Sequence, residues 1–302
     1  MELTLSEAYS FTQKGKRNYQ EDARYPDHDL INAGQRFFMI CDGVGGCDYG
    51  EMASNIVCKA FGKKMESFNL KKDFSNNSFS AVLNYAYSQL DKAGEKIDGE
   101  IATTMTFVCF HGEGCTMAHI GDSRIYQIRP ECGIIYKSDD HSLVNNLVHN
   151  GLISPDEAKR HPKRNVIMRS MGPIEEDEEH SKATVVRTTD LKTNDYFLLC
   201  SDGVYNCLDD DGITNLLCDS STDNQSKLKR LSELCVNSDD NNTAILVQIK
   251  NVDNQMQEEP ENTEIKENTV RITNQLSKTS EIEANQNKTH SSIIQRIKKI
   301  FK

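Results

Sequence analysis

The chain has no C-x-x-C pair, no long apolar run, no phosphate-loop lysine and no excess of positive charge, and each absence removes a class of protein. Its ten cysteines in 302 residues follow no regular spacing, and Cys41, Cys58, Cys109 and Cys200 sit inside apolar runs. They read as small core hydrophobes in a reducing compartment, not as a zinc module or disulfide framework. Nowhere do about 18 apolar residues follow one another, and the opening MELTLSEAYSFTQKGKR holds no apolar segment of signal-peptide length. A cytoplasmic protein is expected. A formal net charge of -11 and a pI near 5.3 lack the basic footprint of a nucleic-acid binder. No G-x-x-x-x-G-K motif supports nucleotide binding, and no repeat of fixed period is visible.

A chain of this length holds one large core, or one domain with extensions. From Thr4 to about Lys250 apolar runs alternate with turn residues. Residues 251–290 are dominated by Asn, Gln, Glu, Thr and Lys, a composition that cannot offset its ordering entropy and reads as a disordered polar linker. Residues 291–302, SSIIQRIKKIFK, place Ile293, Ile297 and Ile300 on one helical face and Arg296, Lys298, Lys299 and Lys302 around the other. This is the pattern of a short basic amphipathic helix, suited to peripheral contact with a membrane or a partner.

Within residues 1–250, helix periodicity runs through Ala53, Ile56, Val57, Ala60, Phe61 and Met65, and again through Phe79, Val82, Leu83, Ala86 and Leu90. In ISPDEA, Ser154, Pro155 and Glu157 form a helix-start signature. Short strand-like runs are RFFMIC, MTFVCF, TMAHI, RIYQI, GIIYK, ATVVRT, YFLLC and TAILVQI. Helices among many short strands predict an α+β fold of layered, mainly antiparallel sheets.

Two of these strands end alike: FFMICDG closes on Asp42 and Gly43, and YFLLCSDG on Asp202 and Gly203. Asp122 in AHIGDSR follows a strand, and Asp240 in SDDNNTAILVQI precedes one. Asp-Gly is a common turn dipeptide, so each instance alone has a turn as its alternative; the conjunction of four carboxylates at strand ends is what points to one site. Such a cluster is costly without a cation, and hard oxygen donors suit Mg²⁺ or Mn²⁺. Glycine after Asp42 lets the Gly43 carbonyl approach an ion. Two ions about 3.5–4 Å apart activate a water for in-line attack on phosphorus. Arg17, in GKRNYQEDA, is the cation best placed to bind a phosphate, with Glu21 and Asp22 close behind it.

In order along the chain, GKRNYQEDA, CDGVGG with GEMAS, ATTMT, AHIGDSRIY, the stretch from DHSLVNNLV to MRSMG, LLCSDGV and DDNNTAILV resemble the metal-dependent protein phosphatases of the PPM (type 2C) family, in particular its bacterial members. The resemblance covers residues 1–250. It implies an α-β-β-α sandwich of two mainly antiparallel sheets flanked by helices, and hydrolysis of phosphoserine and phosphothreonine in proteins, reversing a Ser/Thr kinase. By the same resemblance Asp42 bridges two Mn²⁺ or Mg²⁺ ions, Gly43 and the pair Asp202 and Asp240 complete their ligands, and Asp122 with Asp202 holds a third ion. Glu21 and Asp22 orient metal-bound water, Arg17 binds the substrate phosphate, and the DHSLVNNLV stretch is a flap bordering the site. A monomer is expected.

Gln20 stands where the family usually has Asn, and Cys47 where many bacterial members have a His able to protonate the leaving group. The same residues admit two other readings: a phosphoprotein-binding module of the same fold without turnover, and a Gly-Asp-Ser serine esterase with Ser123 as nucleophile and Asp177 and His180 behind it.

Overall fold

The structure, a computed structural model, describes residues 2–173 and 181–253. The chain begins with five strands, β1 (Glu2–Leu5), β2 (Ala8–Gln13), β3 (Asp22–Tyr25), β4 (Leu30–Ile31) and β5 (Phe37–Asp42), before two long helices, α1 (Gly50–Met65) and α2 (Asn76–Gly94). Strands β6 (Met105–His111), β7 (Gly114–Ile120), β8 (Arg124–Arg129) and β9 (Gly133–Lys137) lead to short helices α3 (Leu143–His149) and α4 (Pro155–Arg160). After β10 (Thr184–Thr188) and β11 (Tyr196–Cys200) come α5 (Asp202–Tyr205), α6 (Asp210–Cys218), α7 (Asn224–Cys235) and the final strand β12 (Asn242–Asp253).

The strands form two sheets. One runs β10-β7-β6-β5-β3, and the other β4-β2-β12-β11-β8-β9 with β1 also paired to β12. Every ladder is antiparallel. Period-two alternation explains the layering. Along β5, Phe37, Met39 and Cys41 pack into a core shared with α1 and α2, while Phe38 and Ile40 face a second core between the sheets. On β11, Phe197 and Leu199 complete the inter-sheet core, and Tyr196, Leu198 and Cys200 turn to a third core under α6 and α7. Three cores between four layers make an α-β-β-α sandwich, the fold class expected.

The Ser154–Glu157 capping box is present, with Pro155 opening α4. Strands β1 to β4 and helices α3, α5, α6 and α7 are additions to the sequence reading. In α7 only Leu228, Leu231 and Cys235 are buried apolar residues, too thin a stripe to stand out by periodicity. Strand β12 extends to Asp253, three residues past the Lys250 boundary. The remainder of the proposed linker and the amphipathic segment 291–302 lie outside the described residues.

Candidate metal centre

Seven residues singled out from sequence line one cavity of ≈ 200 Å³: Arg17, Glu21, Asp42, Gly43, Asp122, Asp202 and Asp240. The carboxylates arrive at or beside strand ends, and Arg17 comes from the loop between β2 and β3. Asp42 terminates β5, Asp122 lies in the turn between β7 and β8, Asp202 opens α5 directly after β11, and Asp240 precedes β12. The eighth, Asp22, stands opposite Asp42 on β3 and is 6% exposed. It lies beside the cavity lining as a partner of Asp42.

Backbone and hydroxyl contacts hold these ends in place. The Thr104 N–H and the Thr103 hydroxyl donate to the Asp42 carbonyl, both at 2.8 Å, and the Asp42 N–H donates to Thr104 Oγ1 at 3.0 Å. Ser201 Oγ donates to Asp22 Oδ2 at 2.8 Å and accepts from the Thr243 N–H at 3.0 Å. Gly43 packs against the start of α1: a Cβ there would lie 2.5 Å from the Gly50 carbonyl carbon, so a larger residue would push the β5 end away from the helix. Arg17 Nη2 donates to Asp240 Oδ2 at 2.6 Å, with the guanidinium side chain 44% exposed at the cavity mouth.

Several lining residues were not read from the sequence: Thr104, Asn241, Asn165 and Ile167. Asn241 is a clamp. Its Oδ1 accepts from the Glu21 N–H at 2.8 Å, and its Nδ2 donates to the carbonyls of Lys14 and Tyr19, both at 2.9 Å. It thereby fastens the Arg17 loop to the start of β12. The neighbouring DDNNT signal was present, but an Asn that bonds only to backbone carries no motif of its own. Asn165 and Ile167 come from the stretch expected to border the site.

Electrostatics show what the cavity needs. Burial first, and then the charges of Asp22, Asp202, Asp122 and Asp240, push the Asp42 carboxyl well above the usual carboxylate range. Asp202 is raised strongly by burial and by Asp122, Asp240 and Asp22. Burial and Asp140 raise Asp122 to about 7. Burial raises Asp22 to about 6 against the hydrogen bonds of Thr243 and Ser201. Glu21 is raised by burial and by Asp240, with Arg17 opposing. For Arg17 itself, burial acts to lower the pKa but the hydrogen bond and charge of Asp240 outweigh it.

Among the described residues, no three of Asp, Glu, His and Cys converge closely enough to grip one ion as they stand; Asp240 is drawn to Arg17 instead. The donor chemistry nonetheless fits divalent cations. All the candidate ligands are hard oxygens, the carboxylates are held toward their neutral forms by burial and then by one another, and the buried Asp22 Oδ1 has no hydrogen-bond partner. A cation in the cavity would be matched by these donors and would relieve the electrostatic strain among the carboxylates.

The esterase reading fails at Ser123. That residue is 1% exposed and its Oγ is hydrogen-bonded to Thr104 Oγ1 at 2.8 Å, so it is not open to a substrate; Asp177 and His180 lie outside the described residues. Cys47 is not among the lining residues. Its sulfur is 3.9 Å from Glu100 Oε2, and burial and then Glu100 push the thiol up. Gln20 Nε2 donates to Thr12 Oγ1, and its Oε1 is buried without a partner.

A four-layer sandwich whose strand ends deliver carboxylates and one arginine to a common cavity defines a class of acidic, cation-demanding α+β proteins. The chain belongs to the Protein phosphatase 2C family, whose sequence model matches residues 15–233. It is 30% identical over 208 residues to the protein phosphatase PhpP of Streptococcus pneumoniae, covering 67% of this chain and 80% of that protein. It is also 30% identical over 200 residues to the serine/threonine protein phosphatase PstP of Mycobacterium tuberculosis, covering 64% of this chain; the match spans 36% of the length of that relative. The solved catalytic domain of the serine/threonine protein phosphatase PstP, in complex with two manganese ions, superposes with a TM-score of 0.66 at 27% identity, over 83% of this chain and 100% of that one.

Proposed function

We propose that this chain is a metal-dependent protein phosphatase that removes phosphate from phosphoserine and phosphothreonine in proteins, reversing the action of a Ser/Thr kinase. The observation that carries the reading is a single cavity in which Arg17 at the mouth stands beside Asp42, Asp122, Asp202 and Asp240. Asp42, the Gly43 carbonyl, Asp202 and Asp240 would hold two Mn²⁺ or Mg²⁺ ions, and Asp122 with Asp202 a third. Bound there, the ions lower the pKa of water to the neutral range and offset charge on the phosphoryl oxygens.

The chain's own groups do the rest. Arg17 exchanges its contact with Asp240 for the substrate phosphate, which its planar fork can bind bidentately. Thr103 and Thr104 fix the Asp42 backbone, so its carboxylate presents to the cavity from the rigid end of β5. Glu21 lines the cavity and Asp22 backs Asp42, both as acceptors that orient water. The net charge of -11 argues against nucleic acid as a partner. No described helix is long and apolar enough to cross a membrane. On its cysteine usage we place the activity in the cytoplasm, with 291–302 as a peripheral tether to the inner membrane face or to a partner.

The test is Mn²⁺-dependent release of phosphate from a phosphothreonine peptide by the wild type and by an Asp202→Ala variant. Release by the wild type and a loss of at least about 100-fold in the variant are expected, the range for removing a key charge-stabilising group. Equal release by both proteins, or none by either at any Mn²⁺ concentration, overturns the reading.

A further inference from the structure

Within the segment between β9 and β10, which as a whole is net acidic, one run is wholly basic. Residues 158–170, AKRHPKRNVIMRS, contain Lys159, Arg160, Lys163, Arg164 and Arg169 and no Asp or Glu, in a chain of net charge -11. Arg160, Arg164 and Arg169 are exposed, and none of the three is ion-paired with a carboxylate among the described residues. The same segment reaches the cavity: Asn165 and Ile167 line it, with Arg164 immediately before them and Arg169 two residues beyond.

Its position is built in, not incidental. The Leu143 N–H donates to the Val166 carbonyl at 2.8 Å and the Met168 N–H to the His141 carbonyl at 2.6 Å, and Ser142 and Ile167 form a bridge. His141 in turn donates its N–H to the Gly121 carbonyl at 2.9 Å, next to Asp122. The basic stretch is therefore tied by backbone to the turn that carries a cavity carboxylate. The rest of the lining is mainly acidic, with Glu21 and four aspartates against the single cation Arg17.

We propose that this edge, through Arg160 and Arg164, selects protein substrates with acidic residues flanking the phosphorylated position. The inference rests on the phosphatase reading above and adds a substrate class to it. A phosphoresidue seated in the cavity places its flanking residues over the cavity rim. Acidic flanks are attracted to this wholly basic run and repelled by Glu21 elsewhere in the lining, so charge complementarity favours the side on which the peptide lies as well as its composition. Exposed pairs are individually weak and screened beyond about 8 Å at physiological salt, so the selection is a ratio of rates that shrinks as salt rises.

The experiment compares three peptides carrying the same phosphothreonine, with acidic, neutral or basic flanks, on the Mn²⁺-loaded full chain. The quantity read is the ratio of kcat/KM for acidic over neutral and for basic over neutral within each protein, so any loss common to all peptides cancels. For the wild type at low ionic strength, acidic flanks are expected to be favoured about tenfold over neutral ones, equivalent to about 1.4 kcal/mol, with the advantage falling in 0.5 M salt. An Arg160→Glu/Arg164→Glu variant is expected to invert the order and favour basic flanks, with an unchanged melting temperature showing that it is folded. An acidic-to-neutral ratio near one in the wild type, or the same ratio in the variant, overturns the inference. Failure of the wild type to hydrolyse any of the three peptides overturns the phosphatase reading instead.

Discussion

Asp22 on β3 and Asp42 at the end of β5 are directly opposed cross-strand partners in an antiparallel ladder. Like charges in that relation repel, by up to about 1 kcal/mol even on exposed sheets, and this pair is closed in by Ser201, Thr103 and Thr104. The repulsion is resolved by a proton or by a cation. In chelator, Asp42→Asn should therefore raise the melting temperature of the domain, by about 2–4 °C for each kcal/mol relieved. With saturating Mn²⁺ the order should reverse, because only the wild type gains binding energy. Scanning calorimetry of both proteins in both buffers reads this; coincident melting in chelator would show that the pair is not strained.

The same carboxylates set a pH dependence whose sign is unusual for acidic groups. Asp22 at about 6, Asp122 at about 7 and the strongly raised Asp42 and Asp202 keep protons in the folded, metal-free chain that the unfolded chain has shed. Stability then falls as pH rises through these values. His111, lowered by burial and Arg187 to about 4, and His141, lowered by burial, His119 and Arg169 to about 3, act in the opposite direction, but mainly below the unfolded histidine value near 6.5. Between pH 8 and 6.5 the carboxylates outweigh the histidines, His119 among them, because unfolded imidazoles are only beginning to take up protons there. The melting temperature in chelator should rise on acidification across that window, and Mn²⁺ binding at pH 7 should release protons, seen as a buffer-dependent heat in titration calorimetry. A melting temperature in chelator that is flat or falls from pH 8 to 6.5 would contradict the assignment.

Much of this centre was legible in the sequence because its members carry their own signals. Asp42 and Asp202 end apolar runs, and strand ends meet at a sheet edge, so the pattern of the chain foretells the cavity. Asp22 was legible as an acid near the site but not as the cross-strand partner of Asp42, since register between β3 and β5 is a property of pairing that one strand does not contain. The role of Gly43 was read as access for a carbonyl; its close approach to Gly50 depends on where α1 packs and has no local trace. Strands β1 and β2 escaped notice because one face of each is exposed or half-buried and their stability comes from pairing with β12, more than 230 residues away in sequence.

Asn241 gives a prediction that follows from satisfaction of buried groups. Its amide serves the Glu21 N–H and the Lys14 and Tyr19 carbonyls, and the residue is 3% exposed. Asn241→Ala should cost about 2–3 kcal/mol by stranding these groups, measured by denaturant unfolding. It should also raise KM more than it lowers kcat, because the loop released carries Arg17. Asn241→Asp keeps the acceptor for the Glu21 N–H but loses both donors, and should fall between alanine and the wild type in KM. If both variants leave KM unchanged, the clamp does not position the arginine.

Arg17 is ion-paired to Asp240 at 2.6 Å, and replacing it separates charge from geometry. Arg17→Ala should raise KM for a phosphothreonine peptide by about 10–100-fold, the range for one charge-assisted hydrogen bond of about 1.5–3 kcal/mol. Arg17→Lys keeps the charge without the planar fork and should recover only part of that loss. Steady-state kinetics at fixed Mn²⁺ checks both, and a lysine variant with the KM of the wild type would mean that point charge alone suffices.

Gly43→Ala tests whether the β5 end must approach α1. A Cβ at position 43 would lie 2.5 Å from the Gly50 carbonyl carbon and 2.6 Å from its oxygen, far inside van der Waals contact, and these are backbone atoms at the start of a helix whose far side is packed through Ala53, Val57 and Phe61. The helix cannot yield without disturbing that core, so the strand end must move, and Asp42 with it. Overpacking of this kind costs about 1–3 kcal/mol, and a displacement of order 1 Å at a reacting centre costs about 100-fold in rate. The variant should therefore lose proportionally more activity than stability, and its Mn²⁺ affinity should weaken while the melting temperature in chelator drops by only a few degrees. Calorimetric Mn²⁺ titration alongside melting separates the two. A variant that loses stability yet binds Mn²⁺ as tightly as the wild type would place the glycine's role in packing alone.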